Sequence, residues 1–317
     1  MHTRPTPAAM LETMLLIRAY EEKAAAMQAA GQAAGTCTAV GQEASAVGVV
    51  TALGANDLIL TNHRSAGHLL ARGADPARLY AGVLGKATGY CKGKSGSLHI
   101  SVKDLGVVLT STIVGAELSL AAGVGLALSM QQRDAVAACF FGDGAACEGS
   151  FHESLNLAVT WKLPILYVCE NNQWQAFVHR KETMPMDQIS TWAAAHGIES
   201  VTVDGNDVEA VRQAATEAVA KIRATGKPCF LETYTYRLRG HYEPDDQAYV
   251  DADELKRWRL RDPIGLLQSK LIASGALNQA DVLAISERVA ARIEEAWATA
   301  IAAPYPAMSE LTTDVYA

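Results

Sequence analysis

Two short polar segments directly follow apolar runs in the middle of the chain, and their side chains could bind a metal ion and an anion. Residues 142–145 are Gly-Asp-Gly-Ala, and residues 170–172 are Glu-Asn-Asn. The Asp143 carboxylate and the Asn172 amide oxygen are hard ligands of the kind that Mg²⁺ accepts alongside diphosphate oxygens. The glycines allow backbone N–H groups to approach phosphates, and a helix beginning near Gly149 would point its positive end at them. These residue types therefore have the chemistry of a site for Mg²⁺ and a diphosphate.

The elements around these segments alternate between apolar strands and helices. The predicted strands cover residues 135–141, 165–169, 200–203 and 229–234, and the predicted helices cover about 116–130, 150–161 and 208–224. Apolar strands that alternate with helices are typical of a parallel sheet buried on both faces, whose ligands bind at the carboxyl ends of the strands. We therefore expect an α/β fold, a doubly wound parallel sheet with helices on both faces, and Asp143 and Asn172 at its carboxyl edge.

The remaining segments surround this core. Helical patterns cover residues 8–34, 43–53, about 76–84, 264–273 and 278–302, residues 56–111 are otherwise rich in loops, and residues 241–262 form a charged surface segment. A long loop-rich stretch within a compact domain usually has a function. We expect a single domain over residues 1–317, with N-terminal helices to about residue 55, a binding core over 56–240, and an active-site loop and C-terminal helices over 241–317.

Composition excludes several classes of protein. Half of the 317 residues are hydrophobic, the net charge is −7, and no Lys/Arg block is present. Because nucleic-acid affinity comes from clustered cations that neutralise phosphates, no nucleic acid is expected as a partner. The apolar stretch over residues 113–130 is interrupted by Glu117 and Ser119, which favours a buried helix over a membrane span.

The cysteines and the N-terminus indicate a cytoplasmic protein. The six cysteines include no C-x-x-C pair, and three lie within apolar runs, as small buried hydrophobes do. The first fourteen residues include Arg4, Pro5 and Glu12 instead of a basic head before a continuous apolar stretch, so no signal peptide is expected. We therefore predict a reducing cytoplasm as the location.

Taken separately, Gly-Asp-Gly is most simply a turn and Asn-Asn a strand end, but their joint spacing over residues 141–172 resembles the thiamine-diphosphate-binding motif. Further segments resemble the α subunits of pyruvate and acetoin dehydrogenases: residues 62–64, 85–89, 92–99, 113–115, 161–164 and 239–241. This resemblance implies thiamine diphosphate and Mg²⁺ as cofactors and a β subunit as partner in an α₂β₂ heterotetramer. It also implies a lipoyl acyltransferase as acceptor of the acyl unit.

The resemblance assigns roles to individual residues. Asp143 and Asn172 match the metal ligands, and Trp174 matches the position whose backbone carbonyl completes the metal site. The other matching cofactor-binding residues are Gly142, Gly144, Ala145, His63, Arg64, Ile113, Val114 and His241. Arg64 suits a phosphate, the backbone at Ile113 and Val114 matches the segment that touches the aminopyrimidine, and His63 and His241 are the candidate catalytic residues.

Several positions depart from the family pattern near the substrate. Ala66 stands where many relatives carry His, Thr112 where they carry Gly, and Tyr242 where kinase-regulated relatives carry Ser. Residues 117–119 replace a proline-containing stretch, and residues 173–175 replace a segment built from a small or aromatic residue and Gly. These changes leave the predicted cofactor site intact and leave the substrate open.

Three functions therefore compete: a dehydrogenase subunit that cleaves acetoin or a 2-oxo acid such as pyruvate, a transketolase-like carboligating enzyme, and a non-enzymatic binding module. The predicted metal ligands disfavour the third. The missing His at position 66 and the bulky Trp174 suit a neutral ketone better than pyruvate, so acetoin is favoured by a narrow margin. The glutamate that activates the cofactor comes from the β chain in the family, so no residue here is assigned that role.

Overall fold

A six-stranded parallel sheet forms the centre of the computed structural model, which describes residues 5–315. Arg4, one of the residues on which the prediction of no signal peptide rests, lies outside these residues. The strands are β1 Leu58–Thr61, β2 Val107–Thr110, β3 Ala137–Gly142, β4 Ile165–Asn171, β7 Glu199–Asp204 and β8 Cys229–Tyr234, in the order β2-β1-β3-β4-β8-β7, with a separate antiparallel hairpin of β5 Trp174–Gln175 and β6 Val178–His179. The predicted α/β fold is confirmed.

Twelve α-helices in the described part of the chain surround the sheet. They are α1 Pro7–Ala29, α2 Glu43–Val50, α3 Ala66–Ala71, α4 Pro76–Val83, α5 Ala116–Met130, α6 Asp143–Ala146, α7 Gly149–Trp161, α8 Ser190–Ala195, α9 Val208–Thr225, α10 Ala252–Arg259, α11 Pro263–Ala273 and α12 Gln279–Ala302. Local sequence sets many of their ends. Asp262 caps α11 and is followed by Pro263 at the first helical position, and Asn278 forms a capping box with Asp281 at the start of α12.

Alternating side chains bury the sheet on both of its faces. In β3, Ala138 and Phe140 pack into one hydrophobic cluster with α1, α2, α9 and α12, whereas Cys139 and Phe141 pack into another with α5 and α7. All four side chains have no exposed surface. Successive residues of a strand point to opposite faces of the sheet. A strand that is buried on both faces therefore has a continuous run of apolar residues in its sequence.

The register of β3 and β4 positions the two polar segments. Gly142 pairs with Glu170 at the carboxyl ends of these neighbouring strands. Asp143 follows Gly142 directly as the first residue of α6, and Asn172 follows the end of β4. The sheet therefore brings the predicted metal ligands to the same edge.

Several predicted boundaries were wrong. The helix predicted to reach residue 34 ends at Ala29, because Gly31 adopts a positive φ of 70° and the N–H groups of Gly31 and Gln32 close the last turn on Gln28 and Met27. The loop-rich region contains β1, β2 and α3, and the charged surface segment contains α10. None of the residues of α10 is fully buried, and its apolar side consists of Leu255 and Trp258, which pack partly buried against the cluster around Tyr236. Two apolar positions are too few to show a helical period in the sequence.

Within residues 5–315, the structure has no helix with both the length and the apolar character required to cross a membrane. The predicted division of the chain near residues 55 and 240 stays a prediction.

Candidate functional site

A cleft of about 310 Å³ opens at the carboxyl ends of β3 and β4. All eleven predicted site residues line it: His63, Arg64, Ile113, Val114, Gly142, Asp143, Gly144, Ala145, Asn172, Trp174 and His241. The structure thus brings together residues from widely separated parts of the chain, whereas their individual roles stay predictions.

Asp143 presents an unpartnered carboxylate oxygen in this cleft. The residue is 1% exposed, and its Oδ2 atom has no hydrogen-bond partner within the described structure. Burial raises the pKa of the Asp143 carboxyl to about 6, and the positive charges of Arg180, Arg237 and Arg64 act in the opposite direction. Because a buried carboxylate oxygen without a partner is costly, this atom is suited to accept a cation or a hydrogen-bond donor.

The Asn172 amide is held in one orientation from two sides. Its Oδ1 accepts a hydrogen bond from the backbone N–H of Trp174 at 3.1 Å, and its Nδ2 donates to Oε1 of Gln42 at 3.1 Å. The intervening Gln173 has a positive φ of 72°, which turns the chain sharply between Asn172 and Trp174. An amide oxygen has a second lone pair, so Oδ1 keeps the capacity to bind a metal ion.

The backbone beside Asp143 suits an anion. Gly144 and Ala145 belong to the short helix α6, and the thirteen-residue helix α7 begins at Gly149. The N-cap residue of α7, Glu148, makes no side-chain capping hydrogen bond within the described residues. Free N–H groups at a helix start favour phosphate oxygens.

Arg64 joins the cleft to the segment that carries His241. It is 5% exposed, and its Nη1 donates to the carbonyl of Thr38 at 2.7 Å. Its Nη2 lies 2.9 Å from both Nδ1 and the backbone carbonyl of His241. The guanidinium therefore contacts His241 in addition to lining the predicted phosphate site, a contact that the sequence did not reveal.

The two histidines of the cleft are neutral near pH 7. Their ring centroids lie 5.9 Å apart in an edge-on arrangement. Burial, with the charge of Arg64 next in size, lowers the pKa of His63 to about 3 and that of His241 to about 4. With Arg64 donating to Nδ1, His241 carries its proton on Nε2. The two rings are thus neutral hydrogen-bonding groups rather than cations.

Sequence reasoning missed some residues of the cleft. Gln42 precedes α2 and orients Asn172, and its own Nε2 has no partner in the described structure. Glu117 lines the cleft with only 1% of its surface exposed, although in the sequence it only interrupts an apolar helix. No local pattern marks either residue, since both reach the cleft only through packing of α2 and α5.

A buried polar network supports the floor of the cleft. Oε1 of Glu170 lies 3.2 Å from His68 Nε2 and accepts from the Ser45 hydroxyl at 3.0 Å. His68 Nδ1 contacts Thr61 at 2.8 Å, and Ser45 contacts Thr233 at 2.8 Å. The network links α2 and α3 to β1, β4 and β8, so the strand ends that carry the site are held rigidly.

Comparison with known proteins identifies the family of this chain. Residues 11–309 match the sequence model of the dehydrogenase E1 component. The chain belongs to the dehydrogenase E1 component family. The resemblance to the α subunits of pyruvate and acetoin dehydrogenases, inferred from the sequence motifs, is thereby confirmed. Membership in this family implies thiamine diphosphate as cofactor.

The names of individual relatives contain two activities, acetoin oxidoreductase and pyruvate dehydrogenase. The α subunit of acetoin:2,6-dichlorophenolindophenol oxidoreductase of Bacillus subtilis (strain 168) is 41% identical over 97% of this chain and 92% of the relative. The pyruvate dehydrogenase E1 component α subunit of Rhizobium meliloti (strain 1021) is 37% identical over 95% of this chain and 87% of the relative. The α subunit of the acetoin:2,6-dichlorophenolindophenol oxidoreductase of Cupriavidus necator is 39% identical over 87% of this chain and 83% of the relative.

The cleft of the dehydrogenase E1 component chain fits this cofactor in two respects. Its polar side offers the unpartnered Asp143 Oδ2 beside the oriented Asn172 amide. Its other side offers the apolar residues Ile113 and Val114, which are 65% and 52% exposed. A diphosphate with a metal ion requires the first surface, and an aromatic ring requires the second.

Proposed function

We propose that this chain is the α subunit of a thiamine-diphosphate-dependent dehydrogenase that cleaves acetoin or a 2-oxo acid such as pyruvate. The acyl unit then passes to a lipoyl group or another acceptor. The observation that carries the proposal is the buried, unpartnered Asp143 carboxylate beside Asn172 at adjacent strand ends of a family-matched cleft. Thiamine diphosphate supplies the carbon centre for C–C cleavage, and the protein supplies orientation and electrostatics.

The proposed metal is Mg²⁺, bound by the Asp143 carboxylate, the Asn172 amide oxygen and the backbone carbonyl of Trp174. Support comes from the donor set, because hard oxygen ligands with phosphate oxygens satisfy the octahedral geometry of Mg²⁺. The backbone of residues 142–145 and the Arg64 guanidinium would hold the diphosphate. The hydrogen bonds of Asn172 to Gln42 and Trp174 fix its amide before any ligand binds.

The proposed catalytic residues are His63 and His241. Both are neutral, so each can donate from one ring nitrogen and accept at the other. His63 Nε2 has no hydrogen-bond partner among the described residues and is free for a ligand. His241 would offer Nε2–H to the reacting oxygen, with Arg64 fixing the tautomer.

The proposed partner is a β subunit in an α₂β₂ heterotetramer, with a lipoyl acyltransferase as a further partner and no nucleic acid. Ile113 and Val114 support a covering chain, because this exposed apolar pair lies at the cleft where a second subunit would complete the site. The net charge of −7 gives no basis for phosphate-backbone binding. We propose a cytoplasmic location, which six free cysteines support.

Acetoin is the favoured substrate. A neutral ketone needs no cation for a carboxylate, and the histidines of the cleft carry no charge near pH 7. Names of the relatives include both acetoin and pyruvate enzymes and favour a dehydrogenase over a carboligating enzyme.

Reconstitution with the β chain tests the proposal. The αβ complex with thiamine diphosphate and Mg²⁺ should reduce a dye acceptor when acetoin is the substrate. With pyruvate or branched 2-oxo acids as substrates, the same reaction should have a lower kcat/KM. The α chain alone should be inactive, because the activating glutamate is absent. Robust turnover by the isolated α chain would contradict the two-chain site, and product formation only with an added carbonyl acceptor would indicate the carboligating enzyme.

A further inference from the structure

Glu117 is a buried carboxyl in the wall of the cleft to which the proposed cofactor site assigns no role. It lies in the first turn of α5, lines the cleft and is 1% exposed. Its Oε2 atom has no hydrogen-bond partner within residues 5–315. Carboxylates are rarely buried without a partner, so this oxygen is available to a ligand in the cleft.

The backbone around Glu117 is anchored to two other elements. Gly115 has a positive φ of 79°, and a Cβ there would lie 2.7 Å from the Ser150 hydroxyl at the start of α7. The carbonyl of Glu117 accepts from the Cys139 thiol of β3 at 3.3 Å. The first turn of α5 is therefore fixed against α7 and β3, and the Glu117 side chain is held beside the cleft by packing.

The environment of Glu117 leaves its carboxyl sensitive to the charge of a ligand. Burial raises the pKa of this carboxyl to about 7, and the N–H groups of Glu117 and Gly115 oppose the shift. A hydroxyl group that donates to Oε2 would satisfy a buried acceptor. A carboxylate placed nearby in a poorly solvated cleft would be repelled by the ionised form.

We propose that Glu117 determines substrate specificity by favouring a neutral, hydroxyl-bearing ketone over an anionic 2-oxo acid. This inference rests on the proposed dehydrogenase function and adds to it a residue that acts on the substrate. Glu117 accepts a hydrogen bond from the hydroxyl group of the ketone. Its negative charge disfavours binding of the carboxylate of a 2-oxo acid. Selectivity then comes from one attractive contact and one repulsive contact at the same oxygen.

The test is Glu117→Gln in the αβ complex loaded with thiamine diphosphate and Mg²⁺. Gln keeps the size of the side chain and removes the charge. At about pH 8, where a carboxyl with a pKa of about 7 is mostly ionised, the ratio of kcat/KM for acetoin to that for pyruvate should therefore fall about tenfold. Glu117→Asp keeps the charge and should keep the preference for acetoin. An unchanged ratio in Glu117→Gln would overturn the inference.

Glu148→Gln is the matched control, because Glu148 lines the same cleft but is exposed to solvent. Solvent and salt screen its charge, so the ratio should change less than about twofold. An equal change in both Gln variants would show that general cleft charge, and not Glu117, sets the preference.

A binding measurement separates this inference from the proposed function. Methyl acetylphosphonate, an anionic analogue of pyruvate that cannot lose CO₂, is titrated calorimetrically into the cofactor-loaded complexes at about pH 8, and Glu117→Gln should bind it about tenfold more tightly. If the wild-type complex turned over neither acetoin nor any 2-oxo acid, the dehydrogenase proposal would fail, yet this affinity change would still support the role of Glu117. Unchanged affinity for the analogue with weakened binding of thiamine diphosphate would overturn it and assign Glu117 to the cofactor.

Discussion

Nη2 of Arg64 lies 2.9 Å from Nδ1 and 2.9 Å from the backbone carbonyl of His241, residues that stand 177 positions apart in the chain. One guanidinium group thus fixes both the ring and the backbone of the loop histidine. It also lowers the pKa of His241 electrostatically, in addition to the larger effect of burial. The position of His241 therefore depends on a residue whose sequence context suggested only phosphate binding.

Arg64→Lys should lower kcat of the reconstituted enzyme by about tenfold to a hundredfold. A lysine ammonium keeps the charge but cannot reproduce the planar guanidinium contacts with Thr38 and His241. Steady-state kinetics together with the Kd for thiamine diphosphate provide the measurement. Arg78→Lys, at an exposed guanidinium that stacks on the Tyr90 ring, serves as the control and should retain kcat. A normal kcat in Arg64→Lys would refute the positioning role.

The sequence predicted the centre of the fold well because its signals there are local. Continuous apolar runs mark β3, most of β4 and the first half of β8, and the polar residues at the ends of β3 and β4 mark the edge of the sheet. The four-residue strands β1 and β2 have too few positions to show a period, and they are recognised only by pairing with each other and with β3.

The candidate site shows the same limit. Asp143 and Asn172 were predicted because strand ends and motif spacing place them together. Gln42 and Glu117 enter the cleft through the packing of α2 and α5, and charge states depend on burial that no sequence spacing reports. The lowered pKa of His63 and of His241 has this origin, so only the structure indicates that both rings are neutral.

Asp143→Asn should weaken activation by Mg²⁺ and thiamine diphosphate by about tenfold to a hundredfold or more. The substitution removes the negative charge that would offset the metal while retaining the shape of the side chain. Calorimetric titration of the cofactor in the presence of Mg²⁺ measures the change without relying on turnover. Asp104→Asn, at an exposed position in the 3₁₀ turn after Val102, provides the control. Wild-type cofactor affinity in Asp143→Asn would exclude this carboxylate as a ligand.

Gly48→Ala should destabilise the complex by about 1–3 kcal/mol through overpacking. A Cβ at Gly48 in α2 would lie 2.6 Å and 2.7 Å from two atoms of Val211 in α9. The melting temperature should therefore fall. Gly265→Ala is the matched control, because a Cβ at this exposed position in α11 meets no atom within 4 Å and should raise stability by up to about 1 kcal/mol. Equal melting temperatures for the two variants would argue against close packing of α2 on α9.

Glu21 should make the stability of the protein fall as the pH rises. Burial raises the pKa of its carboxyl to about 8, despite the opposing hydrogen bond from the Ala39 N–H at 3.1 Å. Because the folded state holds this proton more tightly than the unfolded state, the stabilisation is fully present below about pH 4.5 and is lost as the pH rises through about 8.

Glu21→Gln removes this titration and should gain stability relative to the wild type between pH 5 and pH 8, by up to a few kcal/mol. Denaturant unfolding of the wild-type and variant complexes across this pH range measures the difference, and Glu22→Gln, at an exposed neighbouring position on α1, should parallel the wild type. A Glu21→Gln curve that ran parallel to the wild type over the whole range would show that Glu21 does not hold its proton in the folded protein.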